Sequence, residues 1–393
     1  MKPEEDKLAA DMFVSEMQTR RILSGGEIRK MMHNGRIQSH RDFLLRPINE
    51  MLPIFDGLRS EKRNEYIALH RDMEKEMENR LRMLSSYRIR SCSQEDPEYP
   101  KCLRELPGMP MILYWRGDES LMNESFYRVA IVGTRKPSVY GERVTRYFTE
   151  NLAAEKLVIV SGLARGIDTI AHRAAIAMHG KTIAVMPCGL DLIYPPENKG
   201  LLDTIENEGL IISEMPPGQQ ALRQYFPARN RIMSGISDAI AIMEAGEKSG
   251  TLHTANFAAA QGKDVFVVPG SVFSPMGKGN MQLIKDGASL LSEPEDILAR
   301  IKDASFFRKL DNINKEWSVD SLKEKISENP EALSLDEIHD VLLHVLFEQE
   351  MTMEEIISET CLPYKKVARC LSNMEVNREI EVHQERYVLT FRF

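Results

Sequence analysis

Residues 128–168 read RVAIVGTRKPSVYGERVTRYFTENLAAEKLVIVSGLARGID, and this stretch decides the fold. Its two apolar runs, RVAIVG and LVIVSG, each end in glycine and enclose a segment of helical spacing. Their hydrophobicity is nearly continuous rather than alternating, as in a parallel strand covered on both faces. The unit recurs down the chain as TIAVMPCG from 182, LIISEM from 210, DAIAIMEAG from 238 and DVFVVPG from 264. Segments rich in small residues, such as TLHTANFAAAQG, stand between these runs. Six repeats of strand and helix predict a doubly wound, parallel α/β sheet.

Upstream, residues 1–90 are rich in charge and methionine and read as a helical region. Ser60 is placed to cap a long helix on which Tyr66, His70, Met73, Met77, Leu81 and Leu84 share a face, a packing stripe. Prolines 97, 100, 107 and 110 mark a connector into a short apolar strand, Met111 to Trp115. The sheet domain is expected over 91–300, followed by a polar linker over 301–330. The last segment, 331–393, is expected to be a winged helix. A helix covers Ser334 to Phe347, a capping box at Thr352 and Glu355 opens a second, and Pro363 opens a third. Strands at Ile380–His383 and Tyr387–Thr390 complete it.

Composition narrows the function classes. The 393 residues carry a net charge of −8, which disfavours a chain that coats duplexes indiscriminately but leaves room for a local basic groove. Five cysteines without a C-x-x-C pair give no disulfide framework and no zinc site. No long apolar run suggests a membrane span, and MKPEEDKLAADMF lacks the apolar core of a secretory signal, so a cytoplasmic location is expected. No motif calls for a metal or an organic cofactor.

Ligands of an open parallel sheet gather outside the carboxyl ends of its strands. The first run ends in Gly133, Thr134 and Arg135, a close-approach glycine and a forked cation suited to phosphate. The second ends in Ser161 and Gly162 with Arg165 before a helix; Asp168 is a natural cap there, and His172 reads as a core histidine. Phe226–Pro227 leads into Arg229, Asn230 and Arg231, and arginine both pairs with phosphate and stacks on bases. The fifth run ends near Ser249, Gly250 and Thr251, another helix start suited to an anion. Glu244 and Glu247 beside it are placed to accept hydrogen bonds from bases or sugars, and Lys263 is a further cation in the neighbourhood. Singly, each has a bland reading as a turn or a solvated charge.

In order and spacing, VGTRKPSVYG, SGLARGIDTIAH, FPARNRIMSGIS, EAGEKSGTLHTANFAAAQG and VFVVPG resemble the DprA/Smf family over about residues 87–297. The resemblance implies an extended Rossmann-like domain that binds single-stranded DNA, dimerises and helps load the RecA recombinase in natural transformation. It carries the DNA-contacting role to Gly133, Thr134, Arg135, Ser161, Gly162, Arg229, Asn230, Arg231, Ser249, Gly250 and Thr251. Arg165 and Lys263 are added on charge and placement alone. The family's N-terminal glycine hairpin is not evident in residues 1–85. In the terminal module, Lys365, Lys366 and Arg369 are mixed with Glu375 and Glu379, a balance that favours protein contact over base reading.

The competing class is an enzyme or a mononucleotide sensor of the same fold. Phosphoribohydrolase relatives carry PGGxGTxxE, whose glutamate is replaced here by Thr254 in GTLHT; Glu244 is the nearest substitute. No nucleophile–base dyad, paired carboxylates or G-x-G-x-x-G accompanies it, so a non-enzymatic binding protein is expected.

Overall fold

The computed structural model describes residues 3–33, 37–55, 59–104, 106, 108–123, 125–247, 249–301, 334–348, 350–360, 362–377, 379–383 and 385–389. The expected linker lies, apart from Ile301, outside the described residues. The chain divides into two compact units, Met1–Ile297 and Leu298–Phe393.

The first unit begins with helices α1 (Pro3–Thr19), α2 (Gly25–His33), α3 (His40–Leu45), α4 (Ile48–Met51) and α5 (Ser60–Ser86). Strand β1 (Arg90–Ser93), helix α6 (Lys101–Arg104) and strand β2 (Ile112–Gly117) follow. The α/β alternation then runs β3 (Arg128–Val132), α7 (Val139–Ala154), β4 (Val158–Ser161), α8 (Ile167–Ala177) and β5 (Thr182–Met186). It continues through α9 (Lys199–Glu208), β6 (Leu210–Ser213), α10 (Tyr225–Ile236), β7 (Ala239–Ile242), α11 (Thr251–Ala260), β8 (Asp264–Val267), α12 (Lys278–Lys285) and β9 (Ser289–Leu290).

These strands form one nine-stranded sheet in the order β1-β2-β6-β5-β4-β3-β7-β8-β9. The six runs read from the sequence are β3 to β8, and they pair in parallel with one another. All residues of β3 to β7 are buried, which is why they read as unbroken apolar runs. The sheet is not wholly parallel, however. β2 adds to β6 antiparallel, and β1 pairs antiparallel with β2. Short strands β1 and β9 have no apolar run to announce them: in RSCS only Cys92 is apolar, and both residues of β9 are exposed. Strand order reverses at β3, whose neighbours are β4 on one side and β7 on the other. This switch point fixes where a ligand can enter.

The N-terminal helices share a core with the sheet. Met12, Phe13 and Met17 of α1 lie in one buried cluster with Tyr66 and Leu69 of α5, Tyr114 of β2, Met186 of β5 and Ile211 of β6. The stripe on α5 is a packing face: Tyr66, His70, Met73 and Leu84 are buried, and the Tyr66 hydroxyl donates to the Phe43 carbonyl at 2.7 Å.

In the second unit, α13 (Leu335–Glu348), β10 (Met351–Thr352), α14 (Met353–Thr360), α15 (Tyr364–Val376), β11 (Ile380–His383) and β12 (Arg386–Leu389) surround a separate core. Its three-stranded sheet has the order β10-β12-β11. The capping box has reciprocal geometry: the Thr352 N–H donates to Glu355 at 2.9 Å, and the Glu355 N–H donates to the Thr352 hydroxyl at 3.2 Å. Thr390 lies outside the described residues.

Candidate nucleic-acid groove at the strand ends

Helix crossovers return the chain to the same sheet edge, so the loops after β3, β4 and β7 converge at the switch point. They are laced together there by backbone. The Thr134 N–H donates to the Glu244 carbonyl at 2.8 Å, and the Ile167 N–H donates to the Thr134 carbonyl at 3.2 Å. Gly166 makes that approach possible: its φ of 76° lies in the left-handed region, and a Cβ would run into the backbone of Thr134 and Arg135.

The result is a groove of about 330 Å³. Gly133, Thr134, Arg135, Arg229, Asn230, Ser249, Gly250 and Thr251 all line it, joined by residues the sequence did not assign to DNA contact, notably Phe226, Asp168 and His253. The Arg135 guanidinium sits over the Phe226 ring, 4.8 Å from its centroid, and Tyr194 meets Phe226 edge-on at 5.5 Å. A cation stacked on a ring at a groove wall offers both charge and an aromatic face to a flat, anionic ligand. The signal for Phe226 was its place one residue before a proline and an arginine run.

Arg229 and the five expected residues that do not line the groove behave differently. Arg229 is 5% exposed rather than a free surface cation. Its Nη1 donates to the Val185 carbonyl at 2.8 Å, and its Nε donates to the Asn230 side-chain oxygen at 3.1 Å. Gly162 lies directly beneath it, where a Cβ would occupy the space of the guanidinium. Ser161 is buried, with its hydroxyl donating to the Ile131 carbonyl at 2.7 Å, so it ties β4 to β3. Arg165 is exposed and ion-paired with Glu197. Arg231 is paired with Glu214 and lines a different cavity. Lys263 follows α11 and precedes β8, at the amino end of the sheet, because the crossover helix carries the chain away from the groove.

The buried acids and bases of the site have structural partners. Glu244 does not present its carboxylate to the groove: one oxygen accepts the Ser138 N–H at 2.7 Å and the other the Ser138 hydroxyl at 2.6 Å. Asp168 sits within the first turn of α8 and accepts the Ala164 N–H at 3.3 Å, with burial pushing its carboxyl above the ordinary range against the pull of Arg229. His172 Nδ1 meets the Thr182 hydroxyl at 2.7 Å, and that hydroxyl donates to the Ile159 carbonyl. Burial, with Arg229 nearby, pushes His172 down to about 3, so the ring is neutral at physiological pH. Among the described residues, no cluster of three or more His, Cys, Asp or Glu side chains is placed to hold a metal. No helix among them is long and apolar enough to cross a membrane. Cys92, Cys102, Cys188 and Cys370 are free thiols.

A mostly parallel sheet whose switch point gathers glycines, an arginine and an aromatic face defines a Rossmann-type binding protein. More particularly, residues 90–302 match the family of DNA recombination-mediator protein A, and the chain belongs to that family. It is 38% identical to the DNA processing protein DprA of Bacillus subtilis over 239 residues, 60% of this chain and 80% of that protein. It is 44% identical to protein Smf of Synechocystis over 209 residues, 53% of this chain and 52% of that one, so it spans about half the length of that relative. The solved DprA of Streptococcus pneumoniae superposes with a TM-score of 0.58 at 37% identity, over 64% of this chain and 86% of that chain. DNA processing protein A of Helicobacter pylori, described for its mode of binding single-stranded DNA, gives 0.50 at 32% identity, over 56% of this chain and 98% of that one.

Proposed function

We propose that this chain binds single-stranded DNA across the carboxyl ends of its parallel strands and acts, without catalysing a reaction, as a recombination mediator that loads RecA. The observation that carries the reading is the pairing of Arg135 with Phe226 on the wall of a glycine-lined groove. Unpaired bases expose faces that stack on rings and guanidinium planes, whereas a duplex hides them. The Helicobacter pylori relative, described for its mode of binding single-stranded DNA, supports the same ligand class. The commitment of both Glu244 oxygens to Ser138 supports a binding rather than a hydrolytic role, since a general acid or base must reach its substrate. A cytoplasmic homodimer is part of this reading. So is a winged helix over 334–389 that contacts protein, with Glu379 held by His339 at 2.5 Å.

The test is a fluorescence-anisotropy titration of the full chain with matched single-stranded, double-stranded and mononucleotide ligands at two salt concentrations. Preferential, salt-sensitive binding of single strands is expected, followed by accelerated RecA filament formation on coated DNA. Tight mononucleotide binding with indifference to single strands would replace the mediator with a nucleotide sensor or hydrolase.

A further inference from the structure

A second, larger cavity of about 620 Å³ lies where helices α1, α2 and α5 meet the segment before β2 and the start of α10. Its size falls in the roughly 300–1,000 Å³ range of small-ligand sites. Although the chain is acidic overall, Arg21, Arg29, Lys62 and Arg231 face Glu27 and Glu214 there, four cations against two carboxylates. Arg21 makes no side-chain hydrogen bond or ion pair among the described residues. Lys62 is held by Glu27 at 3.6 Å, and Arg29 donates to Gln94 at 2.9 Å.

Glu214 is the unusual group. One carboxylate oxygen is engaged by Arg231, while Oε1 is buried without a hydrogen-bond partner. A buried acceptor left unmatched is costly, and an N–H donor from a ligand would remove that cost. Tyr225 lines the same cavity and offers a ring face. The next residue, Phe226, lines the groove at the strand ends. The two sites therefore sit on either side of the first turns of α10, one residue apart along the chain.

We infer that this cavity is a second nucleotide subsite, which takes the amino or imino edge of a base at Glu214, its ring against Tyr225 and its phosphate at Arg21 and Lys62. The nucleotide is either the continuation of the strand held in the groove or a free mononucleotide. The first source rests on the single-strand reading above, and the second does not. Under either, the N-terminal helices are part of the binding surface.

The experiment uses the full chain and the double variant Arg21→Gln/Lys62→Gln, which removes two charges without entering the core. Glu214→Gln is a second probe of the base contact. Each protein is titrated with a long fluorescent single strand, and with dAMP, dCMP, dGMP and dTMP. Each is also photocrosslinked to a strand carrying 5-iododeoxyuridine. If the strand continues into the cavity, crosslinks fall on Tyr225 or Met109 as well as Phe226 and are lost from the former in the double variant. Its salt slope then becomes shallower by roughly 0.7 per lost contact, about 1.4 in all. If strands bind, those crosslinks are absent, the slope is unchanged and no mononucleotide binds, the cavity is not a nucleotide site. If the parent protein does not bind single strands at all, the single-strand reading fails instead, and the mononucleotide arm decides. Retention by the parent and loss in the variants establishes the site, and no retention by the parent removes it.

Discussion

The two cavities that flank α10 differ in how they are built. The groove at the strand ends is made of loops from one α/β alternation, with Gly133 and Arg135 just after β3, Ala164 just after β4 and Thr251 opening the helix that follows β7. The cavity beside it is made of distant pieces: Arg21 and Lys62 from the helical region, Met109 from the connector and Arg231 from α10. A site assembled at strand ends follows from topology. A site assembled by docking one region on another does not. The difference also separates neighbours on one helix, since Arg229 points under the groove into the sheet while Arg231 serves the other cavity.

The largest effect that would break this comparison is at Gly162, which supports the groove from below. Gly162→Ala displaces the buried Arg229 guanidinium, and an expected loss of about 3 kcal/mol is read by urea denaturation. A variant of unchanged stability would mean that Arg229 is not locked in place. Next comes Arg135→Ala, which takes both charge and stacking from the groove. Single-strand affinity should fall about tenfold and the salt slope flatten by about 0.7, measured by anisotropy.

His172 sharpens the structural side of the comparison. Its folded value lies near 3, below its ordinary 6.5, so the unfolded chain takes up a proton that the folded chain refuses. Stability contributed by the neutral ring is full above about 6.5 and lost as pH falls towards 3. Denaturation midpoints over that window should decline for the parent chain and decline less for His172→Gln. The smallest effect is expected at Lys263: Lys263→Ala should leave DNA affinity within error, because the residue lies at the opposite end of the sheet. A loss like that of Arg135→Ala would mean that bound DNA extends beyond the groove.

Local sequence was most legible where burial is two-sided. The six runs from RVAIVG to DVFVVPG state the parallel strands directly, and the glycines after β3 and β4 mark where the loops at the switch point approach one another. Helix α1 was harder to read, because residues 9–17 are all buried, including Asp11 and Ser15, so no polar stripe gives it a period. The antiparallel attachment of β2 to β6 was hidden for another reason: pairing partners across about a hundred residues leave no trace in either strand's composition.

What the sequence determined by itself was the α/β alternation, the switch-point loops and the residues that stand in them, because each depends on neighbours within a turn or a strand. Tertiary structure alone decided which arginines are free and which are buried, that Glu244 is spent on Ser138, and that the N-terminal helices wall a second cavity. Those outcomes depend on desolvation and on partners brought together from far along the chain, and a side chain's identity does not record either.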